Sequence, residues 1–270
     1  MDDFRDRTGF ITGGAGGIGL GMARALGSRG MTLVLADIEG DTLKASAQAL
    51  RDEGITVYTE VLDVADPAAY ADVARRTLER HGTLHFLFIN AGVAGPSPLG
   101  QSRFEDWRWV IDVNLMGVVH GIELFLPAMQ ASGEEGYIIN TASLAGHVGN
   151  PGMASYCATK FAVVGYSEVL RQELAGSAIG VSVLCPAWVK TRIADSMRNH
   201  PEGDAAPVDE TLSAIDQLIA NEGMTVDALC NRVVRGMADH TFNLFSHADF
   251  WPAVEERLER IRHDYQQVLT

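Results

Sequence analysis

Two residues, Tyr156 and Lys160, have the side-chain types and the spacing for acid–base chemistry. They lie four residues apart in the segment from Ser143 to Lys160. On a helix this spacing puts both side chains on one face, with Cβ atoms roughly 5–6 Å apart. Because a nearby ammonium favours a phenolate, we expect Lys160 to lower the pKa of Tyr156 and make it a proton donor and acceptor. A surface lysine beside a half-buried tyrosine is the alternative interpretation.

A glycine-rich turn near the start of the chain is typical of a phosphate-binding element. The sequence predicts a buried strand over Gly9 to Thr12, then the turn TGGAGGIG, then an apolar-periodic helix. Gly13, Gly17 and Gly19 lack Cβ atoms, so the backbone can turn tightly and approach a pyrophosphate at the amides of the helix N-terminus. A turn that is only well packed remains the alternative.

An acidic residue follows the second predicted strand, Met31 to Ala36. Asp37 lies about 20 residues beyond the glycine turn, where a carboxylate accepts hydrogen bonds from the adenosine ribose of a dinucleotide. A 2′-phosphate would meet like charge there, and neither Gly16 nor Ile38 supplies a cation. The sequence therefore favours NAD over NADP. Asp37 could instead cap the next helix, a role also open to Asp41.

Units of strand and helix repeat along the chain. Asp66-Pro67 has the residues of a helix start, and Ser102 with Glu105 has the spacing of a capping box for a long helix towards Met129. Further strands are predicted over Thr56 to Leu62, Leu84 to Ile89, Tyr137 to Thr141 and Val181 to Cys185, and a helix over Ser155 to Leu174. This alternation predicts the α/β class, with one doubly wound parallel sheet, helices on both faces, and ligands beyond the carboxyl ends of the strands.

The composition and net charge of the chain argue against some classes of binding partner. The chain has 270 residues, 47% hydrophobic content and a net charge of -14, which argue for one large core and against nucleic acid or an anionic membrane as partner. The start, MDDFRDRTGF, lacks the features of a signal peptide, so we expect a cytoplasmic protein. Cys157, Cys185 and Cys230 form no paired framework, and we expect reduced thiols and no structural metal.

Together these motifs resemble the short-chain dehydrogenase/reductase family over about Arg7 to Arg192. The matching features are the glycine turn, Asn90-Ala91-Gly92, Asn114, Ser143 and the Tyr156–Lys160 pair. The resemblance implies a Rossmann-type oxidoreductase that acts on CH–OH groups. It implies that Tyr156 exchanges the proton with the substrate oxygen, that Ser143 holds this oxygen, and that Asn114 holds a water linked to Lys160.

The resemblance also implies which residues contact the dinucleotide. Lys160 would bind the nicotinamide ribose, and Asp63 and Val64 would contact the adenine ring. Departures from the family pattern follow Cys185, where Ala187 and Trp188 suggest a bulky wall beside the nicotinamide. The full set of expected cofactor residues is Gly13, Gly16, Gly17, Ile18, Gly19, Asp37, Ile38, Asp63, Val64, Asn90, Ala91, Gly92, Tyr156, Lys160, Pro186, Val189 and Thr191.

In this family the segment from Thr191 to about Gly223 closes over substrate. Between Asn199 and Asn231 the sequence has no Lys or Arg, so a strongly anionic substrate would find little attraction. Apolar residues are available for a pocket: Leu144, Val148, Met153, Met197, Leu212, Ile215, Leu218 and Ile219. We expect a neutral, hydrophobic secondary alcohol or ketone, with Ser143, Leu144, Met153 and Trp188 as substrate contacts. His147 could also touch substrate or be an ordinary loop histidine.

The predicted organisation is a single domain over 1–270, with a lid over 191–223 and a C-terminal helix over 251–270. The tail loosely resembles alcohol dehydrogenases that act on lignin-derived aryl ethers, which favours an aromatic substrate. By resemblance, the long helices that start near Ser102 and Ser155 imply a homodimer or homotetramer. A carbonyl or enoyl reductase and a non-catalytic dinucleotide-sensing protein remain alternative functions.

Overall fold

A single parallel sheet forms the centre of the protein. The computed structural model describes residues 4–202 and 210–268. The strands are β1 Thr8–Thr12, β2 Thr32–Asp37, β3 Val57–Val61, β4 Phe86–Ile89, β5 Gly136–Thr141, β6 Ile179–Cys185 and β7 Asn243–Phe245. Their order is β3-β2-β1-β4-β5-β6-β7, and every neighbouring pair is parallel. The chain reverses its winding direction between β1 and β4, which opens a crevice at the carboxyl ends of these strands.

Helices connect the strands and cover both faces of the sheet. The α-helices are α1 Gly17–Gly27, α2 Gly40–Asp52, α3 Pro67–His81, α4 Phe104–Ile111, α5 Gly117–Ser132, α6 Ala154–Glu173, α7 Glu210–Glu222, α8 Val226–Ala238 and α9 Trp251–Gln266. Two short segments matter for the site: a π-helical turn at Asp112–Met116 and a 3₁₀ segment at Ile193–Asn199.

Each face of the sheet carries its own hydrophobic cluster, because alternate strand residues point to opposite faces. On one face Ile11 packs in a cluster with Met22 of α1 and Leu229 of α8. On the other face Phe10 packs with Tyr70 of α3 and Phe125 of α5, with ring centroids 6.3 and 4.7 Å from that of Phe10. The predicted doubly wound α/β fold is confirmed.

Of the two helix starts predicted from sequence, the structure contains the one at Asp66 but not the one at Ser102. Asp66 caps α3, where its carboxylate accepts hydrogen bonds from the amides of Ala68 and Ala69. The capping box at Ser102 and Glu105 is wrong: Arg103 takes the N-cap position, and the Ser102 hydroxyl donates instead to the Pro98 carbonyl. The Ser102 oxygen accepts a hydrogen bond from the Trp107 Nε1 at 3.2 Å rather than from a backbone amide of the first turn.

The long helix predicted from Ser102 towards Met129 is interrupted. It forms α4 and α5 on either side of the π-helical turn that contains Asn114. By length and composition alone, Phe104–Ser132 could cross a membrane, but 44% of its most apolar window is buried inside the fold. Part of the predicted lid, residues 203–209 with its Ala206-Pro207 turn, and the end of the predicted final helix at 269–270 lie outside the described residues.

Candidate active site

One large cavity of about 1390 Å³ lies at the carboxyl ends of the strands. Most of the predicted site residues line it, although they come from widely separated parts of the chain. They are Gly13, Gly16, Gly17, Ile18, Asp37, Ile38, Asp63, Val64, Asn90, Ala91, Gly92, Ser143, Leu144, Met153, Tyr156, Lys160, Pro186, Trp188, Val189 and Thr191. Gly19 and Asn114 are predicted site residues that do not line the cavity.

The glycine turn has the geometry of a cradle for a diphosphate. Gly13 and Gly17 have φ angles of +65° and +52°, in the left-handed region that favours glycine. Helix α1 begins at Gly17, and no side chain caps its first amides, which remain directed towards the cavity end of the helix. Gly19 has a packing role instead, because a Cβ there would lie 2.1 Å from the Gly13 carbonyl oxygen.

Asp37 joins the glycine turn to the second strand. Its Oδ2 accepts a hydrogen bond of 2.9 Å from the Ala15 amide, and its Oδ1 accepts one of 3.0 Å from the Glu39 amide. Burial raises the pKa of the Asp37 carboxyl, and these two backbone hydrogen bonds oppose that shift. The alternative role of Asp37 as a helix cap is wrong, since Glu39 takes the N-cap position of α2.

Helix α6 and strand β5 bring the proposed acid–base residues together. The Lys160 Nζ donates a 3.0 Å hydrogen bond to the Thr141 carbonyl and lies 5.5 Å from the centre of the Tyr156 ring. The Ser143 hydroxyl accepts from the Ala145 amide at 3.1 Å and donates to the Pro186 carbonyl at 3.2 Å. A hydroxyl, a phenol and an amine therefore meet at one wall of the cavity.

The electrostatics of this cluster differ from the sequence-based expectation. Burial raises the pKa of Tyr156, and the hydrogen bond with Ser143 only partly opposes that shift. Burial also lowers the pKa of Lys160 to about 8, because the charged ammonium loses its hydration. In the protein by itself, burial therefore dominates the pKa of Tyr156, and the role of Lys160 in lowering this pKa stays a prediction. Spacing predicted the pair but not the nearly complete burial of Lys160 or the partial burial of Tyr156.

Asn114 supports the cluster from behind. Its Oδ1 accepts from the Val93 amide at 2.8 Å, and its Nδ2 donates to the Val93 carbonyl at 2.9 Å. A Cβ on Gly92 would lie 3.2 Å from the Asn114 Oδ1 and 3.5 Å from the Lys160 Nζ. The absence of a side chain at Gly92 thus gives both residues room. Asn114 lies in the π-helical turn, a distortion often found at functional sites.

The part of the cavity beyond Tyr156 is mainly apolar. Of the residues expected in a substrate pocket, five line it: Leu144, Val148, Met153, Ile215 and Ile219. Leu212 and Met197 pack against the hydrophobic cluster around Tyr156, whereas the Leu218 side chain is 37% exposed. His147 does not line the cavity; its Nε2 lies 3.3 Å from the Cys185 Sγ, and its ring packs on Phe245. His147 is therefore a loop histidine, as the alternative interpretation held.

Several lining residues were not expected from the sequence. Asn150 and Ser196 place polar groups beside the apolar wall, and Phe250 and Ala253 bring the start of the C-terminal region to the cavity. Glu39, Arg192, Arg198 and Asn199 also line it, and Glu39 lies two residues beyond Asp37. These positions belong to no motif, and only the folded chain brings them together. Within residues 4–202 and 210–268, no group of three or more His, Cys, Asp or Glu side chains could hold a metal ion.

The family assignment follows from the fold, the cavity and comparison with known proteins. The family model described as short chain dehydrogenase matches residues 7–202. The chain belongs to the short-chain dehydrogenase/reductase family and is an oxidoreductase of that type, so the predicted family and enzyme class are confirmed.

Relatives of known name extend over most of the chain. A C alpha-dehydrogenase from Sphingobium sp. is 35% identical over 96% of this chain and 85% of its own length. A CLA biosynthesis dehydrogenase/reductase from Lactiplantibacillus plantarum is 32% identical over 98% of this chain and 96% of its own length. The crystal structure of a short-chain dehydrogenase/reductase from Burkholderia phymatum in complex with NAD has a TM-score of 0.92 and 36% identity, covering 98% of this chain and 97% of that one.

Proposed function

We propose that this protein transfers a hydride between NAD and a neutral, hydrophobic or aromatic secondary alcohol or its ketone, with Tyr156 as general acid and base. The observation that carries this proposal is the meeting of Tyr156, Lys160 and Ser143 in one cavity with the glycine turn on one side and an apolar wall on the other. The cavity thus has a dinucleotide half and a substrate half, with the acid–base group between them.

The residues of the dinucleotide half fit NAD. The glycine cradle and the open N-terminus of α1 suit a diphosphate, and the Asp37 carboxylate lies where ribose hydroxyls can donate hydrogen bonds to it. A 2′-phosphate would be repelled by Asp37. The bound NAD in the Burkholderia phymatum relative supports the same choice of cofactor. When bound, the nicotinamide would supply the hydride acceptor or donor.

The chain's own residues would manage the proton and the substrate oxygen. During alcohol oxidation Tyr156 would accept the hydroxyl proton, while the Ser143 hydroxyl would hold the oxygen in place. Lys160, when charged, would favour the phenolate form of Tyr156 and would hold the nicotinamide ribose. Asn114 would position the Val93 loop behind Lys160 and hold the water proposed to link Lys160 to solvent.

The substrate half favours an uncharged, apolar molecule. Leu144, Val148, Met153 and Ile219 form an apolar wall, and Trp188 adds an aromatic surface beside Pro186 and Val189. The name of the Sphingobium relative, a C alpha-dehydrogenase, supports an alcohol substrate. The polar Asn150 could orient a second substrate oxygen, as an aryl ether alcohol would require.

The decisive test is nicotinamide reduction with a panel of secondary alcohols, followed by absorbance with NAD and NADP in parallel. We expect turnover with NAD that falls by at least about a hundredfold in Tyr156→Phe, because the loss of a general acid–base group costs roughly 10²–10⁴ in rate. Aromatic alcohols should have the highest kcat/KM. Tyr265→Phe is the matched control, since Tyr265 is 69% exposed on α9.

Other outcomes would contradict separate parts of the proposal. Better turnover with NADP would refute the role given to Asp37. Binding of NAD without turnover of any alcohol or ketone, and with no effect of Tyr156→Phe, would point to a dinucleotide-sensing protein. Turnover confined to carbonyl or enoyl reduction would support the reductase alternative.

We further propose one domain over 1–270, a substrate lid over 191–223, a cytoplasmic location and assembly as a homodimer or homotetramer. The lid is supported by the position of Thr191, Ile193 and Ile215 along the cavity. The assembly is supported by family membership and is tested below with a surface substitution.

A further inference from the structure

An ionic bridge joins the lid to the loop that follows Asp37. Arg198 in the 3₁₀ segment Ile193–Asn199 contacts Glu39, with its Nη2 2.5 Å and its Nε 2.7 Å from the Glu39 Oε1. The Asn199 Nδ2 donates to the same oxygen at 3.1 Å. Burial alone would raise the pKa of Glu39, but the hydrogen bonds from Asn199 and Arg198 outweigh it and hold this pKa below its usual value. Glu39 is thus a carboxylate at neutral pH.

Further contacts hold both Glu39 and Arg198 in place. The Thr42 hydroxyl donates to the Glu39 Oε2 at 3.2 Å, and the Arg192 Nη1 lies 3.9 Å from the same oxygen. The Arg198 Nη1 also donates to the Asp195 carbonyl at 2.6 Å, which fixes the guanidinium against its own segment. The side chains of Glu39 and Arg198 are only 19% and 29% exposed. Partial burial and this support distinguish the bridge from an ordinary surface ion pair.

The residues of the bridge line the same cavity as the glycine turn and Tyr156. Glu39 lies two residues beyond Asp37, whereas Arg198 and Asn199 belong to the segment that follows Thr191, and all of them line the cavity. A Cβ added to Gly17 would lie 3.2 Å from the Thr191 Cγ2, so the start of the lid lies against the glycine turn itself. A dinucleotide bound between Asp37 and Tyr156 would therefore lie next to both partners of this bridge.

The same lid segment is also held on its other side. His200 is buried, and its Nε2 lies 3.3 Å from the Asp106 Oδ1 of α4, while its ring stacks edge-on against Trp109. The Nη1 of Arg103, the N-cap residue of α4, lies 2.6 Å from the Glu202 Oε2. The lid segment is thus attached at α4, and the bridge to Glu39 is its attachment on the adenosine side.

We infer that Glu39, Arg198 and Asn199 form a clip over the dinucleotide, and that this clip must open for the cofactor to enter or leave. Glu39 and Arg198 are positioning residues that act through the lid; they need not touch the reacting atoms. This inference rests on the proposed function, because it needs a nicotinamide dinucleotide in the cavity. In many enzymes with closing lids, product release limits turnover. Opening of the clip would therefore control the rate of NADH dissociation and could limit kcat.

The test is a double-mutant cycle on the dissociation rate of NADH from the full-length protein, followed by stopped-flow fluorescence. We expect Glu39→Gln and Arg198→Met each to raise the dissociation rate constant about fivefold, the upper range for a partly exposed ion pair. The double variant should show a smaller increase than the product of the two single increases, because both substitutions remove the Glu39–Arg198 contact. The NADH association rate should rise as well.

One control variant and the pattern of effects make the result specific. Arg24 and Glu53 form a comparable ion pair at 2.8 Å away from the cavity, so Glu53→Gln should leave NADH release unchanged. If Glu39 acted only on the adenosine, Glu39→Gln would raise the NADH dissociation rate constant and Arg198→Met would leave it unchanged. That result would overturn the clip. Independent, multiplying effects of the two substitutions would overturn it too.

The proposed function and the clip can fail separately. If the wild-type protein binds NADH and oxidises alcohols, but the Glu39→Gln and Arg198→Met variants release NADH at the wild-type rate, the clip is overturned and the dehydrogenase proposal stands. Faster NADH release in the variants without any alcohol turnover would support the clip and refute the substrate class. If NADH does not bind to the wild-type protein, both proposals are wrong.

Discussion

Burial of the Tyr156–Lys160 pair defines the chemistry of this site at the scale of single residues. The Lys160 side chain is almost fully buried, yet its ammonium has only the Thr141 carbonyl as a described hydrogen-bond partner. The pKa of Lys160 falls to about 8 because the charged form is poorly solvated there. A dinucleotide ribose at this position would supply acceptors that the protein lacks.

Lys160→Met should stabilise the protein at neutral pH while it removes activity. In the folded state Lys160 loses its proton near pH 8, against about 10.4 when unfolded. Below pH 8 the folded protein bears the full cost of the buried charge, and this cost disappears as pH rises towards 10. We expect a gain of about 2 kcal/mol in the free energy of unfolding at pH 7, allowing for the lost bond to Thr141.

Urea denaturation of the protein without cofactor at pH 7 and pH 9.5 measures this effect. The advantage of the variant over wild type should shrink at the higher pH. Lys44→Met, at an exposed position on α2, is the control and should change stability little at either pH. Equal stability of Lys160→Met and wild type at pH 7 would refute the unfavourable burial of Lys160.

At the scale of elements, the glycine turn and α1 can pack closely because Gly19 has no side chain. Gly19 packs directly on the Gly13 carbonyl oxygen, so the helix can begin immediately behind the turn. Gly165 in the middle of α6 is the opposite case, because a Cβ there would have no heavy atom within 4 Å. The two helix glycines therefore predict different responses to alanine.

Gly19→Ala should displace the glycine turn and weaken NADH binding by at least about tenfold, because an added Cβ cannot fit against rigid backbone. Gly165→Ala is the control and should leave NADH binding unchanged, because an added Cβ there meets no heavy atom of its own chain within 4 Å. Fluorescence titration with NADH measures both variants. Normal NADH affinity in Gly19→Ala would contradict the packing role of Gly19.

At the scale of the whole molecule, exposed apolar residues indicate where copies of the chain could meet. Val169 is 53% exposed on α6, the helix that also carries the acid–base pair. Family membership leads us to propose that this helix lies in the interface of a homodimer or homotetramer. A buried interface would remove the exposed valine from water and would tie the acid–base helix to a second subunit.

Val169→Glu should therefore shift the assembly to smaller species, because a charge at the centre of an interface is poorly solvated. Light scattering coupled to size-exclusion chromatography would measure the mass. Val61→Glu, a substitution at a 65% exposed valine on the edge strand β3, should leave the mass unchanged. A wild-type monomer would refute the proposed assembly, and an unchanged mass in Val169→Glu would exclude this face.

The sequence alone determined the features that depend on neighbouring residues. The strand–turn–helix at Thr12 to Gly19, the Asp66 cap with Pro67 and the Tyr156–Lys160 spacing are local patterns with a local physical cause. Order and spacing of these patterns predicted the sheet and carried the resemblance to the family, and most of the predicted site residues line the cavity. The capping box at Ser102 failed because a competing hydrogen bond to Pro98 is not visible in a spacing rule.

Only the tertiary structure decided the features that depend on burial or on distant residues. The pKa shifts of Tyr156 and Lys160 come from the loss of water around them, which no motif encodes. The Glu39–Arg198 bridge joins residues 159 positions apart, and their pairing depends on where the lid segment lies in the folded chain. Local sequence thus sets which groups are available, whereas the fold sets their solvation and their partners, because both depend on chain segments that meet only after folding.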